Sequence, residues 1–539
     1  MTSAPPSRLL QLLFLIIAAG AIAVVLAVLP YRTFELDRFF VPKEAVLHAT
    51  ALLAGLIALI GVRQLRLTAV DDVLIVFFFL SLLSAIASTN GWLAFRALAV
   101  TASSLVLFWS CRRLAAAGLG RPLAFVLAFG AVLGALTALL QAYGVNSDYF
   151  SLSRAPGGTF GNRNFMAHLA AIGLPLVVAL TLQSRSRFPT LAGAAATIIL
   201  TSAVVITRSR AAWLGMAGSL VFFVVAGLLI GGLGRDPLIR RRLALLAGGS
   251  VLGIALALLL PNSLNWRSDS PYLETLQDVT NYKEGSGRGR VLQYQNTLKM
   301  VLAHPVLGVG PGNWAVVYPK FAPRHDPSLD LDDGTTANPW PSSDWMTWLS
   351  ERGVLASLLL LLAFASLGIR SWRWWHESPK RIQTLETLAL PALLLAAITC
   401  GAFDAVLVLP IPALYVWAAA GLLAPIDTGG RVFDLNRKSK AWLTGAVAGI
   451  GLLATARSTM QGAAMAVYEQ SFRVADAEKA VRLDPGSYRI RILLAQRYYT
   501  KGDCGRTRLQ AEAARRLFPE APRPRTLLRA CGGTVPPKH

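Results

Sequence analysis

The sequence predicts an all-α fold: a polytopic helical membrane protein of about 12 to 13 transmembrane helices, with a large outer loop and a small helical repeat at the C-terminus. Three observations carry this. Of 539 residues, 54% are hydrophobic and 15% charged, whereas a soluble chain carries about 25% charged residues. The apolar residues fall in runs near the ~20 that cross a bilayer core as a helix. Basic residues gather between those runs on one side, as they do in cytoplasmic loops.

Nine runs come first: Leu9 to Leu29, Ala45 to Val62, Val73 to Ser88, Leu93 to Ser110, Leu123 to Tyr143, Phe165 to Leu182, Leu191 to Ile206, Ala212 to Leu233 and Leu243 to Leu260. The first is read as a retained helix rather than a cleaved signal, because it is long and only Arg8 precedes it closely. A polar stretch, Pro261 to Arg352, follows. Four more runs are Gly353 to Ile369, Leu385 to Leu407, Ile411 to Ala424 and Trp442 to Ala454. Only Val408, Leu409 and Pro410 part the second and third of these, so a spanning pair and a re-entrant hairpin read alike. The domains expected are 1–260, 261–352 for the loop, 353–457 for the last helices and 458–539 for the tail.

In a soluble chain the net charge of +23 would point to nucleic acid. Its placement here excludes that partner. With the N-terminus inside, 20 of the 52 basic residues fall in short inner segments, 8 in short outer ones, 8 in the long loop and 16 in the tail. Short segments set orientation, and 20 against 8 puts the N-terminus in the cytoplasm and the loop and tail outside. Of four cysteines, Cys111 and Cys400 lie at or within helices and Cys504 and Cys531 in the tail. No pair has metal-ligand spacing, so no metal and no cofactor are expected. Cys504 and Cys531 are open either to a disulfide, which an outer compartment tolerates, or to two free thiols.

The tail shows a spacing of 34, from Ala480 to Ala514 and from Pro485 to Pro519. That is the tetratricopeptide period. Tyr488 to Thr500 and Thr507 to Phe518 are expected to form a helix pair about Lys501, Gly502 and Asp503, with Leu494, Ala495, Tyr498, Ala511 and Ala514 inward. One repeat with flanks is short, since repeats need stacked neighbours. The tail is therefore expected to pack on the membrane part or on a protein partner. Counted from the end of the last run at Ala454, its charge, 16 − 7 = +9, also suits lipid head groups or an acidic glycan.

Arginines on the outer side go against the charge rule and need a reason. Arg154 and Arg163 flank a Gly- and Asn-rich stretch that ends at Asn164, before the sixth helix. Arg208 and Arg210 lie at the turn between the seventh and eighth. Arg288 and Arg290 lie in the long loop. Arginine beside small or amide residues at a helix start is phosphate-cradle chemistry, because guanidinium forks bind phosphate bidentately and helix N-termini add donors. The loop continues through an amphipathic helix to His304-Pro305-Val306-Leu307-Gly308-Val309-Gly310-Pro311-Gly312-Asn313-Trp314, a fixed turn where backbone can approach a ligand. A dinucleotide site would need a βαβ unit, which is absent.

Together these residues resemble the O-antigen ligase and polymerase superfamily. The resemblance rests on Gly161-Asn162-Arg163-Asn164, Ser209-Arg210-Ala211-Ala212, Arg290 with the His304 to Asn313 stretch, and Leu349-Ser350-Glu351-Arg352-Gly353. It implies transfer of a glycan from undecaprenyl pyrophosphate to a lipid or glycan acceptor at the periplasmic face of a bacterial inner membrane. Relatives of this kind use a histidine shortly before the Leu-x-Glu-x-Gly element to activate the acceptor. This chain has Trp340 and Ser342 at those positions. Asp344 is then the first candidate for general base and His325 the second, with Arg210 and Arg290 at the leaving group. Arg163, Asn164, Arg288, Arg154 and Arg208 are candidates for binding substrate. Asp344 also reads as a helix cap. Asp404, inside an apolar run, is costly in lipid and suggests a paired or functional carboxylate. His168 reads as a buried hydrogen-bonded residue. The competing reading is a non-enzymatic transporter or flippase of lipid-linked sugars, or a scaffold that recruits through its repeat.

Overall fold

In the computed structural model, residues 6–229, 235–266, 268–278, 281–330, 333–377, 385–424, 430–470 and 472–532 are described. Nine apolar helices precede the long loop: α1 (Arg8–Leu26), α2 (Asp37–Leu59), α3 (Ala69–Ile86), α4 (Gly91–Ala116), α5 (Gly120–Ala142), α6 (Arg163–Leu182), α7 (Arg187–Ile206), α8 (Arg210–Leu229) and α9 (Pro237–Leu259). The expected end of the eighth run, 230–233, lies outside the described residues. In the loop come α10 (Pro271–Gln277), α11 (Gly285–Ala303) and α12 (Trp314–Val317), and beyond it α13 (Asp344–Glu377), α14 (Glu386–Phe403), α15 (Pro410–Leu423) and α16 (Arg437–Glu469). Among the described residues, α1 to α9 and the stretch Asp344–Arg373 are long and apolar enough to cross a membrane. The chain is an all-α, multi-pass membrane protein.

Starts and stops follow local chemistry. Asn90 caps α4 by accepting from the Trp92 and Leu93 N–H groups, Asn162 caps α6 through the Asn164 N–H, and Asp236 precedes Pro237 at the start of α9. α6 is the central helix, buried along almost its whole length. α1 packs into the bundle too, with Leu13, Ile17 and Val24 buried and the Tyr415 hydroxyl donating to the Ala21 carbonyl at 2.9 Å.

Two departures from the expected spans matter. α15 has 14 residues, about 21 Å at 1.5 Å per residue, against a core of about 30 Å. α14 ends at Phe403, so Asp404 is not within a helix but is its C-cap, extended at φ −159°. The residues linking α14 to α15 are apolar and buried, which hid the break in sequence. The last apolar run is the first part of the 33-residue α16, about 50 Å long. It therefore carries the chain beyond the bundle into the tail.

Away from the long loop, β1 (Gln64–Leu67) pairs antiparallel with β2 (Arg431–Asp434), Gln64 opposite Asp434. This ties the end of α2 to the start of α16. α16 then runs back along α2, with Gly451 against Leu52.

The tail forms α17 (Val474–Leu483), α18 (Tyr488–Thr500), α19 (Cys504–Leu517) and α20 (Pro522–Ala530). Leu494, Ala495, Tyr498, Ala511 and Ala514 are buried. Cys504 and Cys531 are disulfide-bonded, Cα to Cα 5.2 Å, joining the start of α19 to the end of α20. The tail packs on the rest of the chain: Arg457 pairs with Asp484 at 3.0 Å, Tyr488 donates to Asp333 at 3.0 Å, and the Asn90 amide donates to the Leu517 carbonyl at 3.1 Å.

Candidate functional site

Five of the six singled-out arginines come together at the loop end of the bundle. Arg163 opens α6 and Arg210 opens α8, while Arg290 lies in the second turn of α11. Arg163 and Arg208 clasp the Trp266 ring, at 5.0 and 4.9 Å from its centroid. Arg163 is within electrostatic reach of Arg154 and Arg208, and Arg210 of Arg208 and Arg290. Like charges held this way repel by on the order of 1 kcal/mol or more per pair at an effective dielectric near 20. An anion relieves that repulsion.

Anchors fix the geometry. Arg210 donates to the Asp278 carbonyl and, at 2.7 Å, to Ser286 in the first turn of α11. Arg208, whose φ is +57°, bonds Thr275 at 2.7 Å and pairs with Glu274 at 3.0 Å. The N-termini of α6, α8 and α11 thus converge, and their free N–H groups add to the positive field. Arg290 has no hydrogen-bond or ion-pair partner among the described residues. Arg288 lies two residues away, about 200° around the helix at 100° per residue, and is exposed on the other side. It does not join the cluster.

Across from Arg290 lie the carboxylates. Asp404 accepts from the Asn164 amide at 2.9 Å and from the Ala405 N–H at 2.9 Å. Tyr294, one turn after Arg290, donates to the Ser342 carbonyl and, at 3.4 Å, to that of Ala402. Burial pushes the Tyr294 phenol up to about 12, so it stays a neutral donor. His168 lies one turn after Asn164, in the field of Asp404 and Arg290. It is fully buried, but neither ring nitrogen has a partner among the described residues, unlike the bonded histidine expected.

Asp344, the expected base, is fully buried with its carboxylate turned to backbone. It accepts the Val406 N–H at 3.0 Å and the Leu407 N–H at 2.8 Å. It pins the link between α14 and α15, and so positions Asp404 at the start of that link. His325 is exposed and does not contact the cluster. Trp266, Tyr294 and the placement of Asp404 were missed from sequence. Tyr294 could have been found from its spacing of four to Arg290.

The glycine-rich turn packs closely on α13. Val309 and Gly310 donate to the carbonyls of Ser350 and Glu351 at 2.9 and 3.0 Å, and the Glu351 carboxylate accepts the Gly312 and Trp314 N–H groups at 2.7 and 3.2 Å. A side chain at Gly308 would sit 2.4 Å from the Glu351 backbone carbon, and one at Gly353, φ +80°, 2.0 Å from the Val306 carbonyl. The two motifs fit each other and hold the loop onto α13.

A multi-pass helical protein with a dense guanidinium cluster beside a carboxylate at one end is the class these features define. Residues 195–361 match the family model described as O-antigen ligase, which supports the superfamily resemblance. The match supports, at the level of that family, a membrane glycan-ligation function. The match takes in Arg208, Arg210, Arg290 and Asp344 but leaves out Arg163, Asn164 and Asp404. No curated protein matches the chain.

Proposed function

We propose that the protein transfers a glycan from an undecaprenyl pyrophosphate donor to a lipid or glycan acceptor at the periplasmic face of the bacterial inner membrane. The observation that carries this reading is the convergence of Arg163, Arg208, Arg210 and Arg290 opposite Asp404. Orientation rests on the basic residues, whose short-segment excess lies at the end that bears β1 and β2.

In this reading the arginines hold the donor's pyrophosphate. The acceptor oxygen attacks the anomeric carbon while its proton passes to the Asp404 carboxylate. The bond from that carbon to the pyrophosphate oxygen breaks, and undecaprenyl pyrophosphate leaves with the electron pair, with inversion at the sugar. Negative charge grows on the leaving oxygen during the step, so preorganised guanidinium groups stabilise the transition state more than the ground state. Asn164 orients Asp404, and Tyr294 holds α11 against the α14 end that bears it.

The test is to purify the protein, supply an undecaprenyl-pyrophosphate-linked glycan and an acceptor glycolipid, and look for extended acceptor. Transport of the lipid across liposomes without product would replace this reading with a flippase. The tetratricopeptide reading of the tail stands beside it as a structural proposal, with the membrane part itself as the packing surface.

A further inference from the structure

A cavity of about 450 Å³ lies between the membrane helices, the long loop and the tail. That volume is in the range of small-ligand sites, roughly 300–1,000 Å³. Trp348 and Trp417 line it from the membrane helices, Trp340 from the long loop just before α13, and Tyr488 and Phe518 from the loop-facing side of the tail. Between them stand charged groups: Arg96, bonded to Glu44 at 2.8 Å and Asp37 at 3.0 Å, and the Arg457–Asp484 pair.

We infer that this cavity holds a short oligosaccharide, the acceptor's sugar chain; the inference rests on the glycan-transfer reading above. A sugar presents C–H faces that pack on indole rings and hydroxyls that both donate and accept, so it needs aromatic, carboxylate and guanidinium groups together. An acyl chain would desolvate the Arg96 and Arg457 clusters without replacing their hydrogen bonds. A polyanion would meet Asp37, Glu44, Asp330 and Asp484 in the wall. The wall also has donors to spare. Arg352, 2% exposed and stacked 3.9 Å from the Trp348 centroid, leaves Nε and Nη1 without acceptors, and Gln461 makes no hydrogen bond among the described residues.

The cavity and the arginine cluster share a thin wall. Leu407 to Pro410 line the cavity, while Asp404 at the other end of the same link faces Asn164. Trp340 packs edge-on against Phe40 at 5.3 Å and tilted against Phe165, the neighbour of Asn164, at 6.1 Å. A sugar chain in the cavity therefore needs only to pass Trp340 to present a hydroxyl to Asp404.

The experiment measures binding, separately from transfer. The probe is the oligosaccharide fraction that mild acid releases from the native host's envelope glycolipids, labelled at its reducing end and titrated onto the full-length protein in detergent. Wild type is expected to bind saturably. Ala337→Trp, which fills the cavity mouth, and Gln461→Leu are expected to weaken binding at least tenfold with unchanged melting temperature, while Arg290→Ala stays within twofold of wild type. No saturable binding by wild type, or affinity unchanged in both cavity variants, overturns the inference, as does loss in Arg290→Ala alone. Donor binding to Arg210→Ala, measured in parallel, reports on the arginine cluster, so failure of the donor reading is seen independently.

Discussion

The Asn164 amide donates to the Asp404 carboxylate at 2.9 Å, joining the N-terminal turn of α6 to the C-cap of α14 across 240 positions of sequence. The bond holds a carboxylate that shares His168 and Tyr294 as neighbours with Arg290, whereas the carboxylate of Asp344 accepts the Val406 and Leu407 N–H groups. The two aspartates therefore separate by experiment. Asp404→Asn keeps an acceptor for Asn164 but loses the proton acceptor, so transfer should fall about 10²- to 10⁴-fold with donor affinity kept. Asp344→Asn should instead cost about 1–3 kcal/mol of stability by leaving a backbone N–H poorly met. Activity per folded molecule and melting temperature distinguish them; full transfer by Asp404→Asn removes it as the base.

The arginines should divide as their placement does. If the proposed transfer holds, Arg210→Ala and Arg290→Ala each remove charge from the leaving pyrophosphate's site, and transfer should drop about 10²-fold or more. Arg288→Ala, on the other side of α11, should stay near wild type. Rates at saturating acceptor and a donor-binding titration check this, and equal losses at positions 288 and 290 would mean that the helix phase is irrelevant to the site.

What could be read from sequence follows from the range of the forces involved. Apolar runs are local, so most helices of the bundle were legible to within about six residues, while the polar first turns of α2 and α13, at Asp37 and Asp344, and the long end of α16 lay outside the apolar runs. The arginine pairs were legible because, on the orientation that the charge bias predicts, they fall on the side where basic residues are disfavoured. Asp404 was misplaced because the break after Phe403 is built from apolar residues, Ala405 to Leu409, all buried except the half-buried Val408, that continue the hydrophobic run. The role of Asp344 depends on backbone 62 residues away, and the tail-roofed cavity on docking between distant segments, neither of which leaves a periodic trace.

The Cys504–Cys531 bridge closes a separation of 27 residues around α19 and α20. In the chain-entropy picture a loop of this size stabilises by about 3 to 4 kcal/mol against local unfolding of the tail. Reduction, or Cys531→Ser, should raise amide exchange in α19 and α20 while α6 and α8 stay protected. Unchanged exchange in α20 would show that packing of Leu527 and Leu528 alone holds it.

The Arg457–Asp484 pair sets how firmly the tail closes over the cavity, and its two halves are not equivalent. The Asp484 side chain is 3% exposed and that of Arg457 14%. Burial raises the Asp484 carboxyl above its ordinary 3.8 and outweighs Arg457 and Arg96, which lower it, while Asp37 adds to the rise. The docked tail therefore binds this proton more tightly than the undocked one. The resulting stabilisation is fully present below the ordinary aspartate value and is lost as pH rises through the raised one. Asp333, also raised by burial, acts in the same direction. Arg457→Met strands a buried carboxylate and should loosen the tail by about 3–5 kcal/mol at neutral pH. Asp484→Asn leaves a more exposed guanidinium over the Trp92 ring and should cost less. Acidification should restore docking in Arg457→Met more than it changes wild type, because without Arg457 the carboxyl rises further. Hydrogen exchange across α17 and α18 between neutral pH and the ordinary aspartate range measures this; acid loosening of Arg457→Met would reverse the assignment of Asp484 as the group that titrates.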